Sequence, residues 1–121
     1  MDRLQKQMEF IVEVDKVKKI MRQTYLSDAS RKEDDAEHSW HLAIVAVLLK
    51  EYAPEEVDLS KVIPMVLIHD LVEIDAGDTY AYSGESAAVT EARERKAAER
   101  VFGILPEDQG KVFRALWEEF E

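Results

Sequence analysis

Apolar residues recur at helical spacing along most of the chain. Leu4, Met8, Ile11, Val12, Val14, Val17, Ile20, Met21 and Leu26 form the first series, which predicts an amphipathic helix from residue 2 to about 25. Residues 27–35 are polar and turn-like, and Asp34 or Asp35 is placed to cap the next helix. That second helix is expected from about Ala36 to Tyr52, with Trp40, Ala43, Ile44, Val47 and Leu48 as its apolar face and Ala53-Pro54 as its end. After an acidic connection over 54–59, Ser60 is the expected cap of a third helix, about Lys61 to Asp75. That segment is apolar nearly all round, so it is expected to be the central, most buried helix. Pro64 would sit in its first turn and Gly77 would stop it. A loop over 76–86, a helix from about Ala88 to Phe102 and a last helix over 107–120 complete the chain. The polar face of the Ala88–Phe102 helix offers i,i+3 and i,i+4 charge pairs from Glu91 to Arg100. Gly103 separates it from the last helix. No strand-like alternation stands out, and the expected class is all-α, one domain over 1–121 with about five main helices.

Composition narrows the function classes. The 121 residues suffice for one modest core. Sixteen basic against 26 acidic residues give a net charge of −10, and no basic patch stands out, which argues against a nucleic-acid polymer as partner. A small phosphate ester remains compatible, because a metal and one or two Arg can reverse the sign locally. The chain has no Cys, so disulfides, zinc-thiolate sites and Cys nucleophiles are excluded. The N-terminus lacks a signal-peptide core and no apolar run approaches the roughly 20 residues of a membrane span. A cytoplasmic protein with no membrane partner is the expectation.

The candidate chemistry lies in Ile68-His69-Asp70-Leu71-Val72-Glu73-Ile74-Asp75-Ala76-Gly77-Asp78. An apolar run leads into a His-Asp pair and more carboxylates. Burying those carboxylates costs free energy unless something pairs with them, and a metal cation is the simplest partner. His69 and Asp70 are about 100° apart on a helix, so they share one ion only if it lies between their directions. Glu73 projects beside them. Of the three His, His38 and His41 lie i,i+3 on the second helix. Imidazole plus carboxylate suits Mn, Fe, Co, Ni or Zn.

The order His38, then His69-Asp70, then further acids resembles the HD superfamily of metal-dependent phosphohydrolases, in its 5′-deoxynucleotidase-like branch. The resemblance is carried by Ala36-Glu37-His38-Ser39-Trp40, Leu67-Ile68-His69-Asp70-Leu71-Val72-Glu73 and Ala76-Gly77-Asp78. It continues through Phe102-Gly103-Ile104-Leu105-Pro106 to Leu116-Trp117-Glu118-Glu119-Phe120-Glu121. It implies an all-α HD-domain bundle and one divalent transition metal, with His38, His69 and Asp70 as ligands. It implies Glu73 as the acid beside the metal water, Asp78 as a sugar contact, and Arg22 and Arg31 near the phosphate. The implied reaction is hydrolysis of nucleoside or deoxynucleoside 5′-monophosphates by metal-bound water, and a homodimer is common among relatives. The family's fourth ligand, an Asp on a further helix, would follow Glu121, so a C-terminally truncated domain, one ligand short, is expected.

The rival reading is a catalytically impaired or non-enzymatic metal-binding helical module that acts in association. Only three His argue against a two-metal hydrolase. Taken singly, His41 reads as a packing or supporting residue, Asp75 as a solvated helix-end acid, and Trp40 and Trp117 as core. The three Lys at 16, 18 and 19 read as a solvated face.

Overall fold

The computed structural model describes residues 2–77, 84 and 86–121. The chain runs α1 (Arg3–Val14), a 3₁₀ turn (Asp15–Lys19), β1 (Met21–Tyr25), β2 (Lys32–Asp34), α2 (Asp35–Leu49), a 3₁₀ turn (Lys50–Tyr52), α3 (Leu59–Ile68), α4 (Glu73–Ala76), α5 (Ala87–Phe102) and α6 (Glu107–Phe120). The fold is mostly helical, as expected, and the α5 and α6 boundaries fall where the pattern placed them. α2 packs on α3, α3 on α6, and α5 on both α4 and α6.

The first predicted helix is corrected. Asp2 opens α1 with a reciprocal capping box to Gln5, but the helix ends at Val14 instead of continuing to about residue 25. Beyond the 3₁₀ turn the backbone extends at Ile20, and β1 pairs antiparallel with β2. The hairpin is closed by Leu26 N donating to the Arg31 carbonyl at 2.9 Å, with Ala29 in the left-handed region at φ 61°. Met21 and Leu26 match a helical period, yet the backbone hydrogen bonds of this segment go to a second strand. Tertiary pairing here overrides a short-range pattern. Asp34 then caps α2 in a second reciprocal box with Glu37.

The third predicted helix is also corrected. Asp58, not Ser60, caps α3, its carboxylate accepting from Ser60 N at 3.0 Å. Because the helix starts at Leu59, Pro64 lies in its interior and not its first turn. The regular helix stops at Ile68, and the backbone tightens to i→i−3 bonds: Leu71 N to Ile68 O, Glu73 N to Asp70 O and Ile74 N to Leu71 O, at 3.0–3.2 Å. The His69 ring supplies a reason. Its Nδ1 donates to the Val66 carbonyl, the group that the next helical N–H would have used. Gly77, at φ 76°, ends α4 as anticipated.

The core gathers Phe10, Val17, Ile68, Leu71, Val72, Ala76, Ala97, Ala98, Val101, Phe102, Leu105 and Trp117. Small residues (Ala76 on α4, Ala97 and Ala98 on α5) line the α4–α5 side of this cluster. Phe113 of α6 meets Phe10 and Phe102 edge-on, at centroid separations of 5.6 and 6.5 Å. Trp117 is core, as expected. Trp40 is not: it is 64% exposed, and the predicted apolar face of α2 (Ile44, Val47, Leu48) also lies outside. The buried residues of α2 are Asp35 and Ser39. α3 is less buried than its composition implied, with only Val66 and Ile68 fully covered. Of α1, only Phe10 is fully buried. Among the described residues no helix is long and apolar enough to cross a membrane.

Arg100 of α5 ties the segment after the His-Asp turn to α1. Its guanidinium grips Asp75 of α4, with one bond at 2.8 Å, and reaches Glu13 of α1 at 2.5 Å. Asp75 is therefore an ion-paired acid and not simply a solvated one. Arg100 holds the Glu13 carboxyl below the ordinary glutamate value, with Lys16 assisting. A depressed folded-state value means that this stabilisation is complete above the ordinary carboxylate range and is lost as pH falls through the folded-state value. Arg100→Ala is expected to lower stability near neutral pH by up to about 1 kcal/mol. The difference from wild type should shrink below pH ~4, as thermal melts across pH will show.

Candidate metal centre

Three elements converge on one point. α2 brings His38, the turn after α3 brings His69 and Asp70, and the hairpin brings Arg22 and Glu33. One ligand atom from each of His38, His69 and Asp70 lies within 4.8 Å of the others. The ring centroids of His38 and His69 are 6.2 Å apart, and His69 Nε2 lies 3.1 Å from Asp70 Oδ1. The tight turn brings together two side chains that a regular helix would splay by about 100°.

Both imidazoles are held from behind. His69 Nδ1 donates to the Val66 carbonyl. His38 Nδ1 lies 3.0 Å from Glu33 Oε1. With each Nδ1–H so engaged, each Nε2 is left with its lone pair, the tautomer that a metal requires. The Phe120 ring stacks on His69 at 4.3 Å, which further restricts the imidazole. Glu33 is itself positioned by Thr24 Oγ, which donates to the same Oε1 at 2.7 Å.

Arg22 lies on β1, not at a helix end, and its side chain is 23% exposed. Its Nη1 is 3.0 Å from Asp70 Oδ2 and 3.4 Å from Asp35 Oδ1, and its Nε is 3.8 Å from Glu33. Asp35 is only 1% exposed. One guanidinium meets these three carboxylates in a largely buried place, and Glu73 adds a further carboxylate next to Asp35 and Asp70. Asp35, Asp70 and Glu73 form a second set of atoms within 4.8 Å of one another. Carboxylates gathered this closely in a low-dielectric place favour a cation beside them. The donor set of two imidazoles and a carboxylate therefore fits a divalent transition metal.

The remaining candidates are placed elsewhere or lie outside the described residues. Arg31 is exposed and grips Glu37, with one bond at 2.8 Å, holding that carboxyl down to about 2 with help from the capped Asp34 backbone. His41 is exposed and packs on Trp40, ring centroids 6.4 Å apart, which fits the packing role of the two expected of it. Asp78 lies outside the described residues. Sequence reasoning missed Glu33 and Asp35. Asp35 had a signal, since it lies i,i+3 from His38 on the same helix and so shares its face. Glu33 had none, because it reaches His38 across the end of a strand.

Residues 14–121 match the family model described as HD domain. The chain belongs to the HD domain family. It is 25% identical over 115 residues to the proteins named 5′-deoxynucleotidase HDDC2 of Homo sapiens and Bos taurus. Those alignments cover 94% of this chain and 55% of each relative, so the chain spans about half the length of the curated relatives it matches. A crystal structure described as a predicted metal-dependent phosphohydrolase from Magnetospirillum magnetotacticum MS-1 matches with a TM-score of 0.86 and 57% identity, covering 98% of this chain and 60% of that one. Within the matched region, the His69-Asp70 pair lies at the turn where α3 breaks.

Glu33 is the side chain that sets the His38 tautomer. Glu33→Gln is expected to weaken divalent-metal affinity by about 10- to 100-fold while the fold persists. Calorimetric titration with Mn²⁺, alongside far-UV circular dichroism, measures both.

Proposed function

We propose that this HD domain is a phosphomonoesterase acting on nucleoside or deoxynucleoside 5′-monophosphates with one divalent transition metal held by His38, His69 and Asp70. The observation that carries the reading is the pair of imidazoles locked by Glu33 and the Val66 carbonyl, with both Nε2 atoms left for a cation beside Asp70. Relatives named as 5′-deoxynucleotidases support the substrate class.

A divalent cation there supplies Lewis acidity, which activates water at neutral pH and offsets charge on the phosphoryl oxygens. The chain's own groups do the rest. Arg22 has Nη1 committed to Asp35 and Asp70, and the other donors of its fork can meet a phosphate oxygen. Glu73 begins α4 beside Asp35 and Asp70 and serves as the general acid or base, carrying a proton between the attacking water and the leaving sugar oxygen. Asp78, just beyond Gly77, binds the sugar hydroxyl, and Arg31 adds positive charge on the approach from the hairpin tip. The negative surface elsewhere discourages polyanions, so a small ester is favoured over a nucleic-acid polymer. The exposed Ile44, Val47 and Leu48 of α2 support association with a second copy.

Phosphate release from a panel of nucleoside 5′-monophosphates by the Mn²⁺- or Co²⁺-loaded chain tests the reading. His69→Ala is expected to abolish both metal binding and turnover. Glu73→Gln should keep the metal and lower kcat by about 10²- to 10⁴-fold with little change in KM. Metal-loaded protein that releases no phosphate from any member of the panel overturns the nucleotidase reading.

A further inference from the structure

Glu73 is carried by a helix that cannot hold itself. α4 is only four residues long, and Val72 at its N-terminus makes no side-chain capping bond. A single helical turn depends on what it packs against. Here that is α5, on which Arg93 and Arg100 lie seven residues apart, two turns along one face. Ala97, between them, is buried and leaves room for α4. Arg93 Nε donates to the Ala76 carbonyl at 3.1 Å, and Arg100 takes the Asp75 side chain.

The two grips differ. Arg100 joins a half-exposed carboxylate, a surface ion pair. Arg93 holds backbone: its acceptor belongs to Ala76, the last residue of α4 and 1% exposed. A buried carbonyl at a helix end needs a partner, and an arginine suits that end. We propose that Arg93 is a positioning residue: by bonding the Ala76 carbonyl it fixes α4, and with it Glu73, beside Asp35 and Asp70. This rests on the reading of Glu73 as general acid or base and adds the group that holds it there. His38, His69 and Asp70 lie outside α4, so loss of Arg93 loosens Glu73 and leaves the metal ligands in place.

Arg93→Met keeps an unbranched side chain and removes every donor. Hydrogen–deuterium exchange reads the hold without reference to turnover. The Ala76 and Gly77 amides, bonded at 2.9 Å to the Val72 and Glu73 carbonyls, should exchange about tenfold faster in Arg93→Met. On the best substrate of the nucleotide panel, kcat should fall about 10- to 100-fold, with KM and Mn²⁺ affinity little changed. Arg93→Lys, which can still donate to the carbonyl, should recover most of the loss. Arg95→Met, at an exposed arginine paired with Glu91 on the same helix, should match wild type. In a Glu73→Gln background Arg93→Met should cost nothing further, because both act through one side chain; a merely structural role would add its cost again. If Arg93→Met does not fold, as judged by circular dichroism, Arg93→Leu provides the same comparison. Unchanged exchange at Ala76 and Gly77, unchanged kcat against an active wild type, or full additivity with Glu73→Gln each overturns the proposal. A wild type that releases no phosphate overturns the nucleotidase reading, and the exchange of Ala76 and Gly77 still decides whether Arg93 holds α4.

Discussion

Asp70 carries opposing demands on its two carboxylate oxygens, and the rest of the structure is arranged around that. One oxygen faces the His69 imidazole and the other faces the Arg22 guanidinium. Asp70 is mostly buried, and Asp35 beside it almost wholly so. Ionised carboxylates survive in such a place only with cationic partners and hydrogen bonds. The hairpin, the N-terminus of α2 and the broken helix after Ile68 each deliver one part of that arrangement.

The break in the helix ties local structure to the site. A continuous helix from α3 through α4 would satisfy its backbone and spread His69 and Asp70 around its circumference. Instead the His69 ring takes the Val66 carbonyl, the next residues tighten, and the ring and the adjacent carboxylate come to face one another. The same hydrogen bond that ends the helix also fixes the imidazole tautomer. Behind this turn, Ala76, Ala97 and Ala98 keep the α4–α5 side of the core compact, and Arg100 holds Asp75 against α1.

The hairpin does for His38 what the backbone does for His69. Thr24 and Glu33 face one another across its strands, and Glu33 passes that constraint to the imidazole. A two-stranded ribbon is marginal alone. Here it is anchored by Asp35 N donating to the Ile20 carbonyl at 2.9 Å and by the ion pairs of Arg22. Site and hairpin therefore stabilise one another, and the strand conformation of residues 21–25 reflects those long-range partners more than its own composition.

Much was legible from sequence alone. The class, the α5 and α6 helices, the Asp34 cap and the stop at Gly77 come from local rules of periodicity, capping and backbone freedom. The His38, His69-Asp70 and Glu73 set was legible because its spacing is distinctive and its carboxylates lie at the end of an apolar run. The local rules failed where a residue's partner lies far along the chain. Met21 and Leu26 keep a helical period but pair with a strand; Trp40, Ile44 and Leu48 read as core but lie outside. Arg22 was expected near a phosphate, on a helix and not a strand, and Glu33 was one acid in a polar run. Only tertiary structure places Arg22 between Asp35 and Asp70, and Glu33 behind His38, because those contacts depend on the hairpin register and on where α3 breaks. A one-dimensional pattern can show that charges will be buried; which charges meet is decided when the elements pack.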